Sequence, residues 1–506
     1  MAPTPASPVN PSGSEARDSV EALLDTPAAG ARAIRGAGLR GSSYVIGGLL
    51  ALASAPLLVR HLGVVDFGRY TTVLSLVALA GGLTEAGIGP IGVREYSVLP
   101  KVERDRFMAN LIGLRIALGT LGVSGAAVFA VVAGYGAEMV AGTLVAGLAL
   151  VVITIQGTFA VPLYATLRIG RQVVAELLSQ LAAVILVITL VLASAGLVPF
   201  LAIPVVTGLG LLIATVRFVR GSMPLVPAFQ LGRWRGVLRE TLPVGAAIAM
   251  QTLYFRTVIV VMSLIALDQE TGYFATSYRI IEVLLGIPGI LVGTAFPLLA
   301  RAARSEGTRL QYGLQRLFEA GVVAGMWMML ATIVGTELAL SVVAGEQGRP
   351  TEPVLRIQAV VILFAFLSAT WSFSLLSLRK HRELILAAAL AVVVTLALAL
   401  ALVPAHGAIG GAVAAAVGEA SLTVALLMQL LRAQPNLRPR LGVLPRVLLA
   451  ASLASVAALV PDLPDLVRLL VLTGVYFGAL AAVGGIPKEL VHALLAPLRG
   501  RPSTRR

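Results

Sequence analysis

LPVGAAIAMQTLYFRTVIVVMSLIALDQETGYFATSYRIIEVLLGIPGILVGTAFPLLA, residues 242–300, holds two membrane-length apolar runs in succession. A short acidic loop (Asp268, Gln269, Glu270) separates them. The first run carries Arg256 about 15 residues from its start, roughly 20 Å along a helix rising 1.5 Å per residue. The second carries Arg279 and Glu282, three residues apart and therefore on one helical face. Arginine this deep in a bilayer segment is costly and rare. The stretch predicts a pair of spanning helices arranged so that an anionic cargo meets fixed positive charge inside the membrane.

The same texture extends along the chain. Of its 506 residues 58% are hydrophobic and 13% are charged, where a soluble domain carries about a quarter charged. Windows of about 20 residues give fourteen candidate spans, at 41–60, 70–90, 107–132, 138–165, 173–195, 198–219, 241–267, 276–300, 318–342, 355–378, 383–403, 407–431, 443–460 and 466–486. The runs are continuous and do not alternate, which excludes a β-barrel. The fold class is an all-α polytopic membrane protein.

Charge tests this count. With the N-terminus inside, thirty-one of the 39 Lys and Arg residues fall in inner segments. Five (Arg60, Arg69, Arg349, Arg356 and Arg468) fall outside, and Arg115, Arg256 and Arg279 lie within spans. An error in helix number would scramble that alternation, so both termini are expected in the cytoplasm. The net charge of +14 reflects orientation and not nucleic-acid binding, because no basic domain exists. There are no cysteines, and the four histidines lack ligand spacing, so no metal site, cofactor or thiol chemistry is expected. The outer loops are all short and none can house a catalytic domain.

An internal repeat sets the domain plan. Asp66-Phe67-Gly68-Arg69-Tyr70 follows the first span, and Glu270-Thr271-Gly272-Tyr273-Phe274 precedes the eighth. Each joins an acid, a glycine and aromatics at the outer end of a helical hairpin. Repeated halves with a site between them characterise transporters. The expected plan is a disordered tail (1–38), an N-lobe of six helices (39–225), a C-lobe of six (226–434), two extra helices (435–490) and a basic tail (491–506), with pseudo-two-fold lobes.

At these residues the chain resembles the polysaccharide-repeat flippases of the multidrug/oligosaccharidyl-lipid/polysaccharide exporter superfamily. The resemblance runs through Val59–Tyr70, Leu83–Gly89 with Arg94-Glu95, and Leu242-Pro243. It continues in Gly272–Arg279, Pro297-Leu298-Leu299, and Gly407–Ala412 with Glu419. It covers about Leu39 to Leu431 and implies two six-helix lobes around a central cavity that opens alternately to each side. The implied cargo is an undecaprenyl-diphosphate-linked oligosaccharide, moved outward across the bacterial cytoplasmic membrane for O-antigen, capsule or exopolysaccharide assembly. Glycosyltransferases and a polysaccharide polymerase are the implied partners, beside the membrane lipids themselves. One departure stands out: the family often has an aspartate just after the position of Phe255-Arg256, where this chain has Thr257.

The charged residues of the spans then take candidate roles. Guanidinium groups bind phosphate through paired planar donors, so Arg256, with Arg115 and Arg279, is a candidate for the diphosphate or an acidic sugar. The alternatives are a structural ion pair for Arg256, against which the anion-binding role is favoured, snorkelling for Arg115, and pairing with Glu282 for Arg279, where the pairing is favoured. Glu282, Glu85 and Glu419 are candidates for proton or cation coupling, against simple capping or packing roles. No phosphate-cradling Gly-Lys-Ser/Thr loop is present, so the chain itself hydrolyses no ATP. Other readings are a lipid II flippase, a drug or metabolite antiporter of the same superfamily, and a membrane polysaccharide polymerase or ligase. The last requires an outer catalytic loop or an acidic metal-binding pair, and Asp462–Asp465 is poorly spaced for either.

Overall fold

A computed structural model describes residues 27–85, 88–305, 307–460 and 463–485. It contains fourteen α-helices: α1 (Pro27–Glu85), α2 (Ile88–Val98), α3 (Lys101–Val132), α4 (Ala137–Ala165), α5 (Ile169–Leu192), α6 (Leu197–Val219) and α7 (Leu231–Ile265). They continue as α8 (Asp268–Ser305), α9 (Gly307–Val334), α10 (Thr336–Val343), α11 (Glu352–Ser377), α12 (His381–Ala433), α13 (Leu444–Ala458) and α14 (Asp465–Ala482). No strand occurs among the described residues.

Among the described residues eleven helical stretches are long and apolar enough to cross a membrane, and Ala249–Ile265 adds a shorter apolar helix. Two of the eleven, within α1 and α12, are interrupted by a glycine outside helical geometry, Gly63 (φ 74°) and Gly407 (φ 52°). A straight helix of 59 residues would reach about 88 Å, nearly three times the ~30 Å hydrocarbon core. Positive φ is open to glycine at little cost, and the two breaks give each long helix two spanning arms. With α2 and α10 as short continuations, fourteen spanning arms result.

Several boundaries depart from the sequence expectation. Residues 27–38 are helical and not part of a disordered tail, because an alanine-rich segment extends α1 toward the N-terminus; residues 1–26, and the basic tail 491–506, lie outside the described residues. Asp268 and Glu270 form the first turn of α8 instead of a loop, where their negative charge offsets the helix dipole. α7 begins ten residues before the apolar run, at Leu231. The ninth span breaks at Gly335, and its end continues as α10.

The chain forms two compact units that do not follow chain order. The first comprises the residues up to Ser54 with Leu76–Ala249; the second comprises Ala55–Ser75 with the chain from Met250 onward. The first unit's core joins Ile88, Met108, Leu111 and Phe159 to Val219, with Trp234 and Leu238 of α7 packed against it. The second unit's core runs from Leu299 through Trp371 and Leu430 to Tyr476. Here α13 and α14 rest on α9. Tyr476 Oη donates to the Val323 carbonyl (2.8 Å), and Trp327 Nε1 donates to Thr473 Oγ1 (3.2 Å).

Within the second unit, the two glycine corners that suggested the repeat touch each other. A Cβ on Gly68 would lie 2.8 Å from Gly272 Cα, and one on Gly272 would overlap the Val64 carbonyl. Arg69 closes the corner on Asp268 at 2.7 Å, and Glu270 accepts from the Ala408 N–H (2.7 Å) beside the break at Gly407. The first turn of α8 therefore fastens both broken helices. Gly272→Leu is expected to destabilise the protein by about 1–3 kcal/mol through overpacking against backbone, read as a lower melting temperature in detergent by size exclusion after heating.

Candidate functional site

Three candidate charges of the second unit, Arg256, Arg279 and Glu282, sit on α7 and α8. Arg256 Nη2 donates to Glu282 Oε1 at 2.8 Å, and Arg279 Nη1 donates to Glu282 Oε2 at 2.9 Å. Their side chains are about a quarter to a third exposed, so they are neither fully buried nor free in solvent. One carboxylate bridges two guanidinium groups, which leaves the trio with one net positive charge. Arg279 reaches Glu282 because they stand one turn apart; Arg256 reaches it only because α7 and α8 pack side by side. Tyr278 Oη donates to the Phe255 carbonyl (3.2 Å) and ties the two helices beside the trio. Tyr70 lies in electrostatic range of Arg279 and Glu282.

Next to this trio is an acid without a cation. Glu419 is 4% exposed and accepts from Tyr254 Oη (2.6 Å) and Ser368 Oγ (2.7 Å). No basic side chain pairs with it among the described residues. It lines a cavity of about 30 Å³ with Tyr254, Phe255, Tyr278, Gln358 and Thr395. That is room for about one water. Gln358 Nε2 and Thr395 Oγ1 are buried there without hydrogen-bond partners. Among the described residues the Glu419 carboxylate is held by the Tyr254 and Ser368 hydroxyls alone.

Arg115 and Glu85 belong to the first unit. Arg115 is 4% exposed and grips Glu85 with two bonds, Nη1 to Oε2 at 2.7 Å and Nη2 to Oε1 at 3.0 Å. Glu85 closes α1, and its side chain keeps 37% of its surface exposed. Arg115→Leu is expected to cost about 1–3 kcal/mol, less than the 3–5 of a wholly buried pair because water reaches the abandoned Glu85. A thermal melt should show the loss, and it should shrink in an Arg115→Leu/Glu85→Leu double variant.

Thr257, at the position where an aspartate is common in the resembling family, donates to the Leu253 carbonyl (2.6 Å) and is satisfied within its own helix. Sequence reading overlooked Tyr254, Tyr278 and Ser368. The available signal was a tyrosine hydroxyl inside an apolar run, since a polar atom there requires a partner.

The long apolar helices define a multi-pass membrane protein. Solved structures share its fold. They include "Lipid II flippase MurJ, inward closed conformation" (TM-score 0.72, 12% identity, covering 91% of this chain and 99% of that one). An inward-facing multidrug resistance MATE family transporter of the MOP superfamily also matches (TM-score 0.60, 15% identity, 77% and 94%). So does a MOP superfamily transporter from Pyrococcus furiosus (TM-score 0.51, 14% identity, 83% and 96%). No curated protein matches the sequence. The profile of the family described as "Polysaccharide biosynthesis protein" matches residues 33–303, more than half of the chain, and the chain belongs to that family.

Proposed function

We propose that the protein moves undecaprenyl-diphosphate-linked oligosaccharide repeats outward across the bacterial cytoplasmic membrane by alternating access, for O-antigen, capsule or exopolysaccharide assembly. The observation that carries this reading is the Arg256–Glu282–Arg279 trio, a net cation set within spanning helices of a polysaccharide-biosynthesis family member. In this reading Glu282 is a resident counter-anion. A diphosphate offers more charge and more acceptor oxygens than one carboxylate, so it exchanges with Glu282 for the guanidinium groups. Arg115 is a further contact for the cargo if Glu85 is displaced in the same way, and Glu85 and Glu282 are further coupling candidates. Glycosyltransferases would supply the cargo and a polymerase would consume it.

Glu419 is the coupling residue of this scheme. Tyr278 lies in electrostatic range of Arg256, Glu282 and Glu419, so a shift of Arg256 toward cargo changes the charge surrounding the neighbour that the trio and the acid share. Proteoliposomes loaded with fluorescent undecaprenyl-diphosphate oligosaccharide test the reading, with dithionite quenching as the measure of flipping. Flipping of this lipid but not of a cationic drug is the expected outcome, and drug movement alone would establish a drug antiporter instead. The MurJ structure's title gives lipid II as that protein's cargo, and lipid II also presents a diphosphate. Rescue of a strain lacking its lipid II flippase, with no rescue of polysaccharide export, would move the assignment to that cargo.

A further inference from the structure

The first unit carries an apolar groove that the cargo reading does not use. It runs between α5 and α6 with a volume of about 300 Å³. Small side chains at Ala175, Ala182, Gly210 and Ala214 hollow it, and Val174, Leu178 and Val206, each more than half exposed, form its open wall. Its floor is fixed. Ser179 Oγ donates to the Thr207 carbonyl (3.2 Å) across the two helices, and Gln156, Thr215 and Gln172 form a buried hydrogen-bonded chain behind it.

The groove has one charged end. Its lining residues on α5 stand at 174, 175, 178, 179, 182 and 186, and one turn earlier on the same face is Arg171. On α6 they stand at 206, 207, 210, 211, 214 and 218, and Arg217 is three residues beyond Ala214 on that face. Arg168 precedes α5 and Arg220 follows α6, and all four arginines are exposed. The acid at this end, Glu176, accepts from Gln172 (2.9 Å) and is not in the lining. From Val174 to Leu186 the groove extends about 18 Å, close to half of a ~30 Å hydrocarbon core. It therefore has the depth of one leaflet, with cations where a headgroup phosphate would lie.

We propose that this groove binds an anionic phosphoglycerolipid from the leaflet at the arginine-rich end, one acyl chain in the groove and the phosphate on Arg171 and Arg217. The single-leaflet depth favours an acyl chain over the much longer chain of a polyprenyl cargo. Bound there, the lipid would brace the α5–α6 hairpin while leaving the Arg256 trio untouched.

Native mass spectrometry of the full-length protein in mild detergent tests the site, with phosphatidylglycerol, phosphatidylcholine or undecaprenyl phosphate added. Phosphatidylglycerol adducts should persist at about tenfold lower lipid than phosphatidylcholine, given the attraction expected of two arginines near a headgroup. Arg171→Gln/Arg217→Gln, both at exposed positions, should erase that preference. Gly210→Phe should reduce binding of both glycerolipids, because a Cβ at Gly210 meets nothing within 4 Å and the ring enters the groove. Equal retention of the two glycerolipids by the unmodified protein, an unchanged preference in the arginine variant, or stronger retention of undecaprenyl phosphate would each overturn the proposal.

Discussion

An Arg256→Ala variant is expected to abolish polysaccharide export, to below about one hundredth of the unmodified level, while inserting into the membrane in normal amount. The size follows from losing a charge-assisted phosphate contact away from bulk water, where such bonds contribute most. Alanine leaves Glu282 with Arg279 as its one charged partner, which turns a net positive site into a neutral pair. Arg256→Lys should recover only part of the activity, since an ammonium keeps the charge but not the planar fork. Glu282→Gln separates the structural role from the functional one. If Glu282 is a displaceable counter-anion, the variant should bind the lipid diphosphate more tightly and release it more slowly, lowering turnover. Full export by Arg256→Ala, with the protein confirmed in the membrane, would falsify the assignment.

The second large effect is expected at Glu419. Glu419→Gln keeps the size of the side chain; its one carbonyl oxygen still accepts from one of Tyr254 and Ser368, the other hydroxyl turns to accept from the amide N–H, and the side chain cannot take up a proton as a carboxylate does. Flipping driven by an imposed ion gradient should fall at least tenfold, while exchange of cargo without a gradient is retained. Tyr254→Phe should produce a milder form of the same defect, because Ser368 still holds one carboxylate oxygen. If gradient-driven flipping in Glu419→Gln proteoliposomes equals that of the unmodified protein, coupling resides elsewhere. A fall in both modes alike would assign Glu419 to packing.

The comparison between corners shows where sequence reasoning reaches and where it stops. Asp66–Tyr70 and Glu270–Phe274 could be matched as related motifs, because acid, glycine and aromatic recur in order. Their contact, with Gly68 against Gly272, could not be read, since pattern likeness carries no distance. Gly63 and Gly407 illustrate the same limit. Hydropathy separates the arms on either side of each, but not the left-handed backbone that permits the break.

For the candidate site, residue type and depth singled out Arg256, and spacing three apart joined Arg279 to Glu282. Both are local properties of one helix. The sharing of Glu282 between the two arginines spans 26 residues, and the Tyr254–Glu419 bond spans 165. Such contacts depend on which helix faces pack together, and nearly uniform apolar runs leave those faces unmarked. The sequence by itself determined the membrane class, the fourteen spanning arms and the charged groups held inside them, because apolar length and charge placement are solvation constraints acting residue by residue. Only the tertiary structure decided that Arg256 shares Glu282, that Arg115 holds Glu85 and that Glu419 is left without a cation, because those contacts are set by helix packing over distances that no local pattern records.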